Sequence, residues 1–204
     1  PRLKKVIHLA VRFLDDVIEM SDYKLPETQK VVSANRKIGL GVMGFADLLF
    51  QLEIGYNTDA AVNIAEKLSS FLQKEARSAS EKLGVERGSF PNFKESIFAK
   101  SEYKAMRNAT VTTIAPAGTL SMITDCSSGI EPLFGLVYTK HVLDGSEMIY
   151  SNLYFENTLK HNSLYSNELM RLISQVGSIQ SLKEIPANIK AVFVVTDDIA
   201  PIWH

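Results

Sequence analysis

The segment Ile114-Ala115-Pro116-Ala117-Gly118-Thr119-Leu120-Ser121 has the residue types and order of an anion-binding turn. The β-branched run Thr110 to Ala115 predicts a strand. Pro116 and Gly118 break it, and Gly-Thr-Leu-Ser can open a helical turn. Glycine lets a backbone come close to a ligand. Successive amides with no internal partner can cradle a phosphate, and Thr119 and Ser121 add hydroxyl donors. The same spacing also describes a plain strand-to-helix turn with a Ser/Thr cap.

Gly39-Leu40-Gly41-Val42-Met43-Gly44 is a literal G-x-G-x-x-G. That motif binds a dinucleotide when a strand precedes it and a helix opens at it, so that pyrophosphate meets free amides. Ser33 to Lys37 is polar with no strand pattern, and no strand ending in an acidic residue follows. The segment Ile38 to Leu52 therefore reads as a buried helix whose small residues permit close packing. A nicotinamide-dinucleotide-binding dehydrogenase resting on Gly39 to Gly44 is the alternative.

Cys126 is the single cysteine. A nucleophilic cysteine needs a nearby base and a depressed pKa, and no spacing ties His8, His141, His161 or His204 to it. It reads as a small buried or half-buried side chain. No His-x-x-x-His or Cys-x-x-Cys pair occurs, so no metal site is expected. Asn108-Ala109-Thr110 matches a glycosylation sequon and, with no secretory signal, reads as accidental. Asp197 and Asp198 could be paired carboxylates, but adjacent strand-end residues point different ways. Asp198 reads better as a turn or helix cap.

The elements that must position these residues follow from periodicity. Leu3, Ile7, Ala10, Leu14 and Val17 predict a first helix, with a break at Pro26. Asn57 or Thr58 caps a long helix with Ala61, Ile64, Ala65, Leu68, Leu72, Ala76, Ala79 and Leu83 on its apolar stripe and Gly84 at its end. Its other face, Glu66, Lys67, Lys74, Arg77 and Glu81, reads as solvated. A loop follows at Arg87 to Phe93, then a short helix at Ser101 to Met106. Leu136 to Leu143 predicts a strand closed by Asp144-Gly145. Leu169, Leu172, Ile173 and Val176 predict a helix ending at Gly177, and Ala191 to Thr196 a strand covered on both faces. Helices alternating with isolated apolar strands give an α/β class.

Composition bounds the function. Lys plus Arg is 22 and Asp plus Glu is 23, a net charge of −1, which is no footprint for nucleic acid. The longest apolar stretch, Ile38 to Phe50, contains Asp47 and is shorter than the roughly 20 residues of a membrane span. One cysteine and no signal peptide fit a reducing, cytoplasmic setting. The chain opens on Pro1 and closes on Trp203-His204, and both ends are expected to be cut.

Ala115-Pro116-Ala117-Gly118-Thr119-Leu120-Ser121-Met122-Ile123, followed by Cys126-Ser127-Ser128-Gly129-Ile130-Glu131-Pro132-Leu133-Phe134, resembles the large catalytic chain of ribonucleotide reductase, nearest to the adenosylcobalamin-dependent class II enzymes. Asn35 to Asp47, Glu86 to Pro91 and Thr196 to His204 are similar to further blocks of that family, in family order. The resemblance implies an α/β fold. The chain would be a partial segment of a ten-stranded barrel, helix-rich with a few parallel strands. Residues 1–204 would be one segment: 1–108 mostly helical, 109–145 strand, substrate-phosphate loop and strand, 146–204 helix and final strand.

In the family, a thiyl radical on a finger-loop cysteine abstracts the ribose 3′ hydrogen, and a cysteine pair supplies electrons. The resemblance therefore implies deoxyribonucleotide biosynthesis, adenosylcobalamin as cofactor of the parent enzyme, and a ribonucleoside di- or triphosphate substrate. A thioredoxin-like reductant, the rest of the reductase chain and a possible second copy are the implied partners, with no nucleic acid and no membrane. The family's phosphate loop carries onto Ala117, Gly118, Thr119, Leu120 and Ser121. Thr is usual where Ala117 stands, so a hydroxyl is lost there while the amide remains. Asp125 stands where a small residue is expected. Cys126 does not match the finger loop, so no catalytic residue is assigned and the segment is expected to be inactive alone. A class I large chain is the alternative within the family.

Overall fold

Ile7, Val11, Asp15 and Ile18 recur at steps of one helical turn and form the buried face of the first helix, α1 (Arg2–Met20). The computed structural model of the chain describes residues 2–141 and 147–204. Leu3 and Val17, expected on the buried stripe, are exposed. The helix is rotated so that an acid, Asp15, faces inward. A second helix, α2 (Pro26–Asn35), begins at the proline where only a break was expected. The first turn of a helix loses nothing when an amide hydrogen is missing.

The expected helix over Ile38 to Leu52 is not formed as such. Ile38 to Gly41 is extended beside residues 110–113, with Ile38 N–H donating to the Thr110 carbonyl at 3.1 Å and Leu40 N–H to Val111 at 2.9 Å. Leu40 and Thr112 form a parallel bridge. The glycines explain the choice. A Cβ on Gly39 would lie 2.8 Å from the Thr113 side chain, and one on Gly41 2.8 Å from the Thr113 carbonyl oxygen. Only at Gly44, with φ of 78°, does the chain turn into α3 (Phe45–Gln51).

The long helix α4 (Asp59–Arg87) carries the expected stripe, with Ala61, Leu72, Ala76, Ala79 and Leu83 buried. Thr58 Oγ1 accepts from the Ala61 amide at 3.2 Å and caps it. Gly84 does not end it. A Cβ there would lie 2.9 Å from the Met106 nitrogen, so this glycine serves close packing inside the helix. Residues 101–106, expected as a helix, are irregular. The Met106 backbone is drawn instead to Phe90 and Ser89, and 3-10 turns form at Pro91–Glu95 and Ile97–Lys100.

Helix α5 (Gly118–Thr124) follows. Strands β1 (Val137–His141) and β2 (Glu147–Ser151) pair antiparallel, Tyr138 opposite Tyr150 with rings stacked at 5.6 Å. The expected turn at Asp144-Gly145 lies outside the described residues. Helix α6 (Leu153–His161) carried no strong periodic signal. Helix α7 (Asn167–Val176) was expected, with Gly177 at its end, and the structure adds Ser166 as its cap. Helix α8 (Ala187–Val192) covers the start of the expected final strand. Phe193, Val194 and Val195 are buried as predicted. They join no sheet among the described residues, and Thr196 instead bonds the Leu133 carbonyl. The described segment is thus helix-rich, its parallel pairing is the Leu40–Thr112 bridge, and its two-stranded sheet is antiparallel.

The chain divides into two units, Pro1–Gly41 with Glu66–Ala115, and Val42–Ala65 with Pro116–His204. The first holds a buried charge cluster. Asp15 accepts from Arg36, Arg107 and Asn108, with Arg36 Nη2 at 2.8 Å and Asn108 Nδ2 at 2.9 Å. Asn108, the sequon residue, is fully buried, which rules out its glycosylation in the folded chain. The second unit is built on an apolar cluster that includes Phe50, Leu136, Phe155, Leu159, Ile173 and Phe193. Each such side chain contributes about 1.5–3 kcal/mol through burial.

Candidate functional site

Residues Ala117 to Ser121 come together as the first turn of α5. Ala117 is its N-cap, with φ of −87° and ψ of 39°, and makes no side-chain cap. The helix closes with Ser121 N–H donating to the Ala117 carbonyl at 2.8 Å. The amides of Gly118, Thr119 and Leu120 have no hydrogen-bond partner among the described residues. A first turn always leaves such donors without intrahelical acceptors. Here no side chain among the described residues fills them, and a Cβ built on Gly118 meets nothing within 4 Å.

The side chains divide differently. Ser121 is buried, and its Oγ donates to the Gly118 carbonyl at 2.7 Å. Its one hydroxyl proton is therefore already engaged, against the expectation that it adds a donor to a ligand. The Thr119 hydroxyl has no partner among the described residues. Asp125, with φ of 50°, ends α5 in the left-handed region that short polar residues tolerate.

The start of α3 makes the opposite case. Gly44 N–H donates to Ser127 O at 2.8 Å and Phe45 N–H to Gly129 O at 3.4 Å. Asp47 N–H donates to Ser127 Oγ at 3.3 Å. The loop 127–129 thus occupies the amides that a pyrophosphate would need. With Gly39 and Gly41 pressed against Thr113, the G-x-G-x-x-G segment serves packing, and the dinucleotide reading has no place to put its ligand.

Beside α5 lies a cleft of about 460 Å³ lined by Ser121, Met122, Asp125, Cys126, Ser127, Tyr150 and Glu156 among others. Among the described residues its lining holds the carboxylates Asp47, Asp125 and Glu156 and no Lys, Arg or His. Glu156 is held below the usual carboxylate range, first by the hydrogen bond from Lys160 at 2.6 Å and then by Ser151. Cys126 is half-buried with Thr124 Oγ1 3.2 Å from its sulfur. Tyr56 donates to the Ile130 carbonyl at 2.9 Å, and burial, reinforced by Glu131, pushes its hydroxyl pKa up. A larger cleft, about 690 Å³, is floored by Phe50 and Phe193 and contains none of residues 117–121.

Sequence reasoning missed Asp47, Ser127 and Asn152. The Asp47 carboxylate is buried and accepts from the Ser127 amide and the Asn152 side chain. Its one visible signal was an acid inside an apolar run. Asp198 is a cap, as expected, accepting from Val195 N–H at 3.0 Å. Among the described residues no group of His, Cys, Asp and Glu could hold a metal ion, and no helix is long and apolar enough to cross a membrane.

Comparison with known proteins gives a single answer. The family model described as "Ribonucleotide reductase, barrel domain" matches residues 1–204. The chain is 46% identical over 203 residues to the vitamin B12-dependent ribonucleoside-diphosphate reductase of Thermoplasma acidophilum, covering 100% of this chain and 26% of that one. It is 42% identical to the protein of that name from Mycobacterium tuberculosis, covering 29% of its length. It is 29% identical to the ribonucleoside-diphosphate reductase subunit alpha of Chlamydia pneumoniae, over 99% of this chain and 23% of that one. Among solved structures, the class Id ribonucleotide reductase alpha subunit of Actinobacillus ureae superposes with a TM-score of 0.81 at 23% identity, covering 97% of this chain and 36% of that chain. The last likeness carries the fold alone. The chain spans between 23% and 29% of the length of these curated relatives.

Proposed function

The chain belongs to the ribonucleotide reductase barrel-domain family, and from that premise we propose that it is the part of a ribonucleotide reductase that receives the phosphates of the substrate. The observation that carries this reading is the contrast between two helix starts. The amides of Gly118, Thr119 and Leu120 have no partner among the described residues, while those of Gly44, Phe45 and Asp47 are occupied. Backbone N–H groups at a helix start point at an incoming anion, and the dipole of the turn favours negative charge. Because the donors are amides, Ala117 in place of the family's usual Thr removes one hydroxyl and leaves this set intact.

The substrate is read as a ribonucleoside diphosphate, in line with the names of the relatives. Adenosylcobalamin is read as the cofactor of the parent enzyme, since the relatives named vitamin B12-dependent are 42–46% identical and the named subunit alpha 29%. When bound, that group supplies the radical that starts the reaction. The described residues include no ligand cluster for its cobalt, so no site on this chain is assigned to it. The radical cysteine and the reducing cysteine pair are placed in other parts of the parent chain, and a thioredoxin-like protein is the expected reductant. No catalytic role is assigned to Cys126. The setting is read as cytoplasmic, and residues 1–204 as one segment of the barrel.

The test is Gly118→Ala in the full-length reductase. The added methyl meets no protein atom within 4 Å, and alanine favours helix over glycine by roughly 0.5–1 kcal/mol. The thermal midpoint is expected to hold or rise while KM for the ribonucleoside diphosphate increases, because the methyl lies where the phosphate approaches. An unchanged KM would remove the loop from the binding site.

A further inference from the structure

Asp47 is buried at 6% exposure in α3, 80 residues before Ser127 in sequence and 105 before Asn152. Its Oδ2 accepts from the Ser127 amide at 2.6 Å, and its Oδ1 accepts from Asn152 Nδ2 at 2.9 Å. Its own amide donates back to Ser127 Oγ at 3.3 Å. The Asn152 side chain has no freedom to turn. Its Oδ1 already accepts from the Tyr154 and Phe155 amides at 3.1 and 3.2 Å as the cap of α6. Only the NH₂ can face Asp47. Ser127 in turn follows Cys126, whose amide donates to the Ser121 carbonyl at 3.1 Å and ties off the end of α5.

We propose that Asp47 is a positioning residue for the substrate-phosphate loop. By fixing Ser127 it fixes the strap from Asp125 to Gly129, and with it the direction in which the amides of Gly118, Thr119 and Leu120 point. The inference rests on the reading of that loop given above. A buried acceptor that serves two donors has no neutral isostere, because replacing one oxygen by NH₂ sets a donor against a donor. Asp47→Asn confronts either the Ser127 amide or the Asn152 NH₂, whichever way it is turned. Exchanging the pair removes the conflict. In Asp47→Asn with Asn152→Asp, the new amide accepts from Ser127 and donates to the new carboxylate. The second carboxylate oxygen still caps α6, a position where Asp is as good as Asn.

The experiment measures ribonucleoside diphosphate kinetics in the full-length reductase for Asp47→Asn, the exchanged pair and Gly118→Ala, with the thermal midpoint of each. Asp47→Asn is expected to raise KM about tenfold with kcat little changed, the size of one spoiled buried hydrogen bond. The exchanged pair is expected to return KM to the wild-type value. Asp47→Asn with wild-type KM, or an exchanged pair that folds and keeps a raised KM, overturns the proposal. If Asp47→Asn does not fold, the exchanged pair alone decides by the same criterion. A raised KM in Gly118→Ala without one in Asp47→Asn removes the positioning role and keeps the loop. An unchanged KM in Gly118→Ala removes the loop reading and this inference with it.

Discussion

An alanine at Gly84 would place its Cβ 2.9 Å from the Met106 nitrogen and 3.0 Å from that of Arg107. In an ordinary helix interior the change from Gly to Ala stabilises by roughly 0.5–1 kcal/mol. Here the neighbours are backbone atoms that cannot swing away, so overpacking prevails at about 1–3 kcal/mol. Gly84→Ala is expected to lower the thermal midpoint, where Gly118→Ala holds or raises it. Paired scanning calorimetry of the two variants checks the contrast. Glycine was legible at the residue scale as a mark of close approach, as at Gly39 and Gly41. What each glycine approaches was not, because Thr113 lies more than 70 positions away in sequence. Asp47 was hidden for the same reason, its partners lying at separations of 80 and 105 residues. An acid in an apolar run shows that something must satisfy it without showing what.

Helices with a strong period of their own were legible at the element scale. The stripe of α4 and the Gly177 end of α7 follow local rules of spacing and capping. The elements that failed were set by partners instead. Ile38 to Gly41 is extended because residues 110–113 pair with it, and residues 101–106 are irregular because Met106 is held by Phe90 and Ser89. Ties between helices also set the pH response. Glu75 on α4 is held below its ordinary value of 4.5, first by the hydrogen bond from His8 on α1 and then by that from Lys4. Asp16 on α1 is held below 3.8 by Arg87 at the end of α4. Each acid binds its proton more weakly folded than unfolded, so its contribution is full above the ordinary value and is lost as pH falls through the folded one. Thermal midpoints are expected to fall as pH drops below about 4.5. Arg87→Gln should make that acid limb shallower, since Asp16 then returns toward its ordinary value. Denaturation scans of both proteins between neutral pH and pH 3 measure this, and an equally steep limb in the variant would contradict it.

For the molecule as a whole, family blocks in order along nearly the entire chain identified the reductase barrel before any single motif could. Composition contributed the exclusions, a near-zero net charge and one cysteine. The chain accounts for only 23–29% of the length of its curated relatives. Its functional role then rests on where the phosphates go. A crystal structure of the full-length reductase with a ribonucleoside diphosphate answers that directly. The account predicts phosphate oxygens within hydrogen-bond distance of the Gly118, Thr119 and Leu120 amides, with the Asp47–Ser127–Asn152 bonds intact beside them. Phosphates bound elsewhere, with those three amides facing solvent, would contradict it.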